Sequence, residues 1–254
     1  MKSFSKIPLS LSLFFMIAIV SSCKKEEPTP TPTKGDVKVE VNYVFGSSAL
    51  PWDVNQTMVH PATGDTLTFT EFAFYLSNVK LKKEDGTWWS EPESYHLICA
   101  KCTEKNMFIM KDVPAGIYTE MAYTLGVDSL RNVSGAQTGD LSPTKGMFWD
   151  WNTGYIMIKA EGSSPQSPTG TFTFHLGGFS GPNNIVTPKT ITFGSAVVNV
   201  AEPAIPTIVL QANPARLWHT SPSVSVTSAI HMPGPEAKIM ADDFFGNISF
   251  TEIK

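Results

Sequence analysis

The sequence has few cysteines, few charged residues and no apolar segment of membrane-spanning length. Three cysteines are too few for a disulfide-stabilised scaffold. Nineteen basic residues against 23 acidic ones leave no basic excess to neutralise phosphates, which argues against nucleic acid as a partner. The longest mainly apolar run, residues 9–20, is shorter than the ~20 residues that a spanning helix needs.

The sequence also lacks the local motifs of common enzymes. It contains no H-E-x-x-H zinc motif, no G-x-S-x-G nucleophile elbow, no phosphate-binding loop and no dinucleotide-binding fingerprint. Hydrophobic residues make up 42% of the chain, as in an ordinary globular protein. We therefore predict a folded protein that has no catalytic activity of its own.

The first residues resemble the targeting region of a bacterial lipoprotein. Two lysines precede the apolar run, which ends in V-S-S-C at residues 20–23, similar to a lipobox. The resemblance implies a signal peptide over residues 1–22 and lipidation of Cys23, whose acyl chains would anchor the protein to a membrane. The charged K-K-E-E segment that follows resembles the surface-export signal of Bacteroidetes lipoproteins. We expect an outer-membrane lipoprotein that is exposed at the cell surface or in the periplasm.

A strand-rich single domain is predicted after a short tether. Residues 23–35 form the tether, because their Pro/Thr alternation favours an extended chain that cannot pack. Apolar residues then fall at every second position, as in half-buried strands, in several segments. These segments are residues 37–45, 67–69, 72–76, 117–127, 172–176, 191–193, 198–200 and 208–210.

Two further features complete the prediction of the fold. The alternation slips between Leu76 and Val79, which indicates a β-bulge. The best helical segment, residues 236–245, is short. We predict an all-β fold over residues 36–254, an antiparallel sandwich or barrel-like single domain with short helical pieces at most.

Histidine and cysteine supply the candidate ligands for a metal. His175 lies on the strand face opposite Phe172 and Phe174, so it points outward or into a groove, and imidazole suits copper, nickel and zinc. His96 precedes Cys99 and Cys102 in the pattern H-x-x-C-x-x-C. The two cysteines are interpreted either as a small-loop disulfide or, with His96, as a soft site for Cu(I) or zinc.

The densest aromatic cluster is M-F-W-D-W-N at residues 147–152, with Tyr155 just after it. Strand alternation would place Met147, Trp149 and Trp151 on one face. Such a stripe is either core packing or a platform on which sugars stack.

Five segments, in order, resemble the MbnP-like copper-binding family. They are F-A-F-Y-L-S-N-V-K-L at residues 72–81, L-G-V-D at 125–128 with N132 and L-S-P at 141–143, G-M-F-W-D-W-N-T-G-Y at 146–155, F-H-L-G-G at 174–178 and H-M-P-G-P at 231–235. The chain is identified on these motifs as a member, with the resemblance covering roughly residues 37–250.

The resemblance implies copper bound by His175 and His231 together with a tryptophan oxidised to kynurenine, either Trp149 or Trp151. It also implies a di-haem cytochrome c peroxidase-like partner that performs this oxidation. Members associated with methanobactin often have histidine where this chain has Ser77 and Val133. A third ligand would then come from kynurenine, His96, the cysteine pair or a methionine such as Met147.

A second hypothesis requires no metal. The protein would be a surface module that binds glycans or peptides through Trp149, Trp151 and Tyr155. The two hypotheses differ in geometry: the metal site needs His175 and His231 side by side next to a tryptophan, whereas the sugar site needs exposed, coplanar indoles.

Overall fold

The computed structural model describes residues 1, 34–102, 106–135, 137–149, 154–201 and 203–254. Cys23, most of the tether and all of the predicted signal peptide except Met1 lie outside the described residues. Residues Pro32–Lys254 make up one compact unit. No helix in the part that the structure describes is long and apolar enough to cross a bilayer.

The described chain folds mainly into strands. They are β1 (Lys34–Phe45), β2 (Leu50–Pro51), β3 (Thr57–Val59), β4 (Thr66–Lys83), β5 (Trp88–Ser90), β6 (Tyr95–Cys99), β7 (Met107–Pro114), β8 (Gly116–Leu125), β9 (Ile156–Ser163), β10 (Thr171–Gly177), β11 (Thr187–Thr192), β12 (Val198–Val200), β13 (Thr207–Ala212), β14 (Ala229–Ile230) and β15 (Ser249–Ile253). The helical pieces are α1 (Ser129–Val133), α2 (Pro235–Gly246) and 3-10 turns at Gly139–Leu141, Pro143–Lys145, Gly181–Asn183 and Pro214–Trp218. The prediction of an all-β sandwich with short helical pieces is confirmed.

The strands form two curled sheets. In the smaller sheet the order is β15-β13-β1-β2, with β7 also pairing with β1. In the larger sheet the order is β11-β8-β4-β9-β10-β14, with β3, β5 and β6 pairing with β4 and β12 pairing with β8. Most pairs are antiparallel, as predicted, but β1 with β13 and β10 with β14 run parallel. The second of these parallel pairs positions the candidate site.

The core lies between the two sheets and is rich in aromatic rings. The alternation in β1 buries Val37, Val39 and Val41 completely, because every second side chain points to the same face. Across the core, Phe72 on β4 meets Phe244 of α2 edge to face, with ring centroids 5.1 Å apart. Each fully buried side chain of this size contributes about 1.5–3 kcal/mol. The helix α2 therefore closes the core over the larger sheet.

The longest strand, β4, contains the predicted bulge. Its pairing with β8 shifts register between Ser77 and Lys80, and Asn78 adopts a left-handed φ of 53°. Asparagine tolerates this conformation better than most residues do. The pairing of β4 with β9 also shifts register, between Phe69 and Glu71. With a third shift between Lys82 and Lys83, these irregularities allow one strand of 18 residues to curl and to pair with several strands of the larger sheet.

Candidate functional site

Strand β10 presents His175 on the face opposite the core. Phe172, Phe174 and Leu176 are buried on one side of this strand, whereas Thr173 and His175 lie on the other side. The side chain of His175 remains 21% exposed. The sequence alternation F-x-F-x-L is therefore sufficient to direct the imidazole away from the core.

A short parallel strand brings the second histidine beside it. Strand β14 pairs with β10 through Thr173 with Ala229 and Phe174 with Ile230, so His231 follows at the level of His175. The two imidazole rings meet edge to face, with centroids 5.1 Å apart and an interplanar angle of 84°. The structure thus brings together two histidines that are 56 positions apart in the sequence (231 − 175).

A carboxylate on the neighbouring strand β9 holds His175. The Nε2 atom of His175 lies 2.7 Å from Oε1 of Glu161, and the carboxylate can only accept, so Nε2 carries the hydrogen. In the neutral ring the lone pair is then on Nδ1. Lys159 on the same strand lies 3.4 Å from Glu161 and 3.4 Å from Glu71 on β4. Two carboxylates and one ammonium give this cluster one excess negative charge.

The protonation of these groups follows from burial and from their mutual contacts. Burial raises the pKa of Glu161, but the hydrogen bond from His175 and the charge of Lys159 outweigh it, so the pKa lies below its usual value. Burial and the neighbouring His175 lower the pKa of His231, against an opposing effect of Glu161. A neutral His231 at pH 7 has a ring nitrogen lone pair available for a metal.

Trp149 packs against the end of the same strand. A Cβ added to Gly177 would lie 2.3 Å from Cη2 of Trp149, so the indole covers the position where a side chain would stand. The next residue, Gly178, has φ of 128°, and an added Cβ there would lie 2.4 Å from the carbonyl oxygen of Asn183 and 3.3 Å from Cβ of Pro233. The G-G pair after His175 therefore allows both the tryptophan and the loop after His231 to approach β10.

The aromatic cluster is core in the part that the structure describes. Trp149 is 5% exposed and Tyr155 is 1% exposed, and the ring of Tyr155 meets Phe148 edge to face at 5.0 Å. Trp151 lies outside the described residues. Because the rings of Trp149 and Tyr155 are buried, they offer no open face on which a sugar could stack. Of the two interpretations of this stripe, core packing is the one that applies to Trp149 and Tyr155.

His96 and the cysteine pair make separate contacts. The Nε2 atom of His96 lies 2.7 Å from Oε2 of Glu91, and its ring stacks on Phe108 with centroids 3.7 Å apart. Cys99 and Cys102 are joined by a disulfide, so neither sulfur is a thiolate ligand in this structure. None of the described contacts of these three residues involves His175 or His231.

A family model described as MbnP matches residues 34–233 of the chain. The chain belongs to the MbnP family. In a comparison with solved structures it is similar to MbnP from Methylosinus trichosporium, with 16% sequence identity and a TM-score of 0.52. The match covers 80% of this chain and 83% of that chain, and at this identity it supports the fold alone. A search of curated proteins finds no match.

The family match includes both histidines, Trp149 and Glu161, whereas all of α2 and β15 lie beyond it. Ser77 and Val133, the two positions that the sequence analysis compared with histidine, have structural surroundings of their own. Ser77 is fully buried and donates to the carbonyl of Gly126 at 2.7 Å, and Val133 is exposed on α1. No described group of three or more His, Cys, Asp or Glu side chains is arranged to hold a metal ion in this MbnP chain.

Glu161, Lys159 and Glu71 are site residues that the sequence analysis missed. Their only signal is the alternation of β9, in which Lys159 and Glu161 interrupt an otherwise apolar I-M-I-K-A-E segment. Register then decides which strand they face, because Lys159 pairs directly with His175 and Glu161 with Thr173. Sequence spacing alone carries no information on this pairing.

Proposed function

We propose that this MbnP-family chain binds copper through His175 and His231, and that it handles the metal without catalysis of its own. The observation that carries the proposal is the contact between the two imidazole rings at 5.1 Å beside an anionic cluster. Metal–nitrogen bonds of about 2 Å to each ring are compatible with this separation. Membership in the family adds the expectation that the metal is copper.

The residues present fit a copper ion with few protein donors. Imidazole is a good ligand for copper, and each ring retains a nitrogen lone pair, because the Nε2–H of His175 donates to Glu161 and leaves Nδ1 of that ring without a hydrogen. Glu161 acts as the outer partner that orients a ligating histidine and raises its basicity. The excess negative charge of Glu71, Glu161 and Lys159 favours a cation over an anion at this position.

A third donor is needed beside the two imidazoles. Two nitrogen donors discriminate little among metal ions, so selectivity needs another ligand. We propose a kynurenine formed from Trp149 or Trp151, with a di-haem cytochrome c peroxidase-like partner as its oxidant. The packing of Trp149 on Gly177, two residues from His175, supports the first of these tryptophans. When bound, copper would supply a one-electron redox couple, while the chain's own residues bind and orient the ion.

The location is a separate proposal. We propose that Cys23 is lipidated and that residues 23–35 hold the domain away from the outer membrane. Replacement by Cys23→Ser is expected to release the protein from the membrane fraction or to leave its signal peptide uncleaved. Membrane fractionation identical to that of the unaltered chain would contradict the lipid anchor without affecting the copper site.

Copper binding by the purified full chain tests the metal proposal. We expect stoichiometric copper, measured by elemental analysis after dialysis, that is lost in the double variant His175→Ala, His231→Ala. The matched control is His219→Ala, which removes an exposed histidine elsewhere on the surface. Copper retained in the double variant, or absent from the unaltered chain, would refute this site. Mass analysis of the peptides with Trp149 and Trp151 shows whether either is oxidised.

A further inference from the structure

A concavity of about 280 Å³ is lined by basic residues, in contrast to the anionic cluster beside the histidine pair. Its walls come from three segments that are distant in sequence: Gly46 and Ser47 after β1, residues 60–62, and the 3-10 turn Pro214–Trp218 with His219. Arg216 and His219 line it, and no Asp or Glu is among the described residues of its walls. We refer to it as the Arg216 pocket.

Hydrogen bonds between the segments hold the walls of the Arg216 pocket in place. The side-chain amide of Asn213 accepts from the N–H of Gly46 at 3.2 Å and donates to its carbonyl at 2.9 Å. The Nε2 atom of His60 lies 2.9 Å from the carbonyl of Ala215, and Nδ1 of His60 accepts from the N–H of Thr63 at 3.1 Å. The pocket is therefore formed before any ligand arrives, as is usual for binding sites.

Among the described residues, none is recorded as a hydrogen-bond or ion-pair partner of the Arg216 guanidinium. Its Nε atom is buried and makes no hydrogen bond in the part of the chain that the structure describes. The described ion pairs do not include Arg216 either. Buried donors in folded proteins are almost always bonded, because an unsatisfied donor loses its hydration without compensation. A ligand with two acceptor oxygens matches the planar fork of arginine.

The neighbouring histidine contributes no charge of its own. His60 donates at Nε2 to a carbonyl and accepts at Nδ1 from an N–H, which is the bonding pattern of a neutral ring. Burial lowers its pKa, and so do the charges of Arg216 and His219, against opposing effects of the Ala215 carbonyl and of Asp65. The positive potential in the pocket therefore comes from the guanidinium of Arg216.

We propose that the Arg216 pocket binds a small ligand through an oxyanion group, a carboxylate or a phosphate. Arg216 makes the charged contact, and His219 and the hydroxyl of Ser47 supply further donors at the rim. The volume suits a small molecule rather than a polymer. The proposal is independent of copper, because it rests on different residues and on the opposite sign of charge.

Calorimetric titration of the purified full chain with inorganic phosphate and, separately, with acetate tests the proposal and distinguishes the two oxyanions. We expect saturable binding of at least one anion, weakened about tenfold or more by Arg216→Gln. Arg131→Gln is the matched control, because that arginine bonds to Glu93 outside the pocket. Arg216→Lys keeps the charge but loses the fork, so it is expected to bind with intermediate affinity.

A second measurement reports on the pocket itself. Bound anion offsets the positive charge near His60, so its pKa, followed by imidazole NMR, is expected to rise on saturation in the unaltered chain but not in Arg216→Gln. The proposal is overturned if neither anion binds at millimolar concentration, or if Arg131→Gln weakens binding as much as Arg216→Gln. Thermal unfolding of each variant establishes that it is folded. If Arg216→Gln does not fold, the anion affinity of Arg216→Lys tests the proposal instead.

Discussion

Gly177 is the position at which a single methyl group is expected to disturb the site most directly. An added Cβ would lie 2.3 Å and 2.7 Å from Cη2 and Cζ3 of Trp149, and 2.8 Å from the carbonyl oxygen of Tyr155. Carbon atoms in contact normally keep about 3.5–4.0 Å, so both the indole and the backbone must move. Overpacking of this kind costs typically about 1–3 kcal/mol. The loss of chain entropy in the unfolded state offsets about 0.4–1 kcal/mol of that cost.

We therefore expect Gly177→Ala to lower the free energy of unfolding by about 1–2 kcal/mol. For a domain of this size the melting temperature should fall by about 2–8 °C. Urea denaturation followed by circular dichroism measures the change. Gly246→Ala is the matched control, because nothing lies within 4 Å of its added Cβ and it ends a helix. The control is expected to be as stable as the unaltered chain or slightly more so.

A double variant separates this clash from a general loss of glycine. If Trp149 is the obstacle, then Gly177→Ala in a Trp149→Leu background costs less than it does alone, by at least about 0.5 kcal/mol. Equal stability of Gly177→Ala and Gly246→Ala would refute the reasoning. An unchanged cost in the Trp149→Leu background would assign the strain to the carbonyl of Tyr155 instead.

Three further predictions concern other residues. Lys189→Met removes hydrogen bonds from Nζ to two carbonyls at the end of α2 and to that of Ile248 just after it, the nearest at 2.6 Å, and is expected to cost about 1–3 kcal/mol in thermal unfolding. Burial keeps the pKa of His60 in the folded chain below its ordinary 6.5, so His60 is protonated at higher pH in the unfolded chain than in the folded one. The free energy of unfolding, measured in urea, is therefore expected to fall as the pH drops below 6.5, and to fall less steeply in His60→Gln. His96→Ala removes the ring that bonds to Glu91, which keeps only its hydrogen bond from Ser94 among the described contacts, and is expected to cost about 1–3 kcal/mol while bound copper stays unchanged. Loss of bound copper in His96→Ala would indicate that His96 is a copper ligand.

Strands that bury one face could be predicted from the sequence, because their two faces differ in chemistry. The alternation in β1 and β10 is regular, and the slip between Leu76 and Val79 marks the bulge at Asn78. The break between Phe69 and Phe72 has the same cause, but it separates two predicted segments that are one strand in the structure. A break in alternation is the same signal for a bulge and for a strand end, so pattern alone does not distinguish them.

Strands with apolar residues on both faces were not predicted. In β7, Phe108 and Met110 are buried while Met107 and Ile109 on the other face are exposed, so the segment shows no alternation. The helical segment at residues 236–245 was predicted, and α2 occupies Pro235–Gly246. The parallel pairing of β10 with β14 was not predicted, because the two residues of β14, Ala229 and Ile230, are too few to show a strand-like alternation.

The candidate site shows the same limit. His175 and His231 were named because their motifs resemble those of the MbnP family, and the strand pairing that joins them is visible only in the structure. Glu161 was missed, because a charged residue on the outer face of a strand is ordinary until register places it against a particular neighbour.

The parallel pairing of β1 with β13 has a consequence for how the chain folds. Val39 on β1 is opposite Ile208 on β13, and β13 in turn pairs with β15. About 160 residues separate the end of β1 from the start of β13, and contacts between such distant segments form slowly because a long loop must close first. Until β13 arrives, β1 has one unpaired edge, and such edges recruit other chains. Removal of β15 would likewise leave one edge of β13 without its partner.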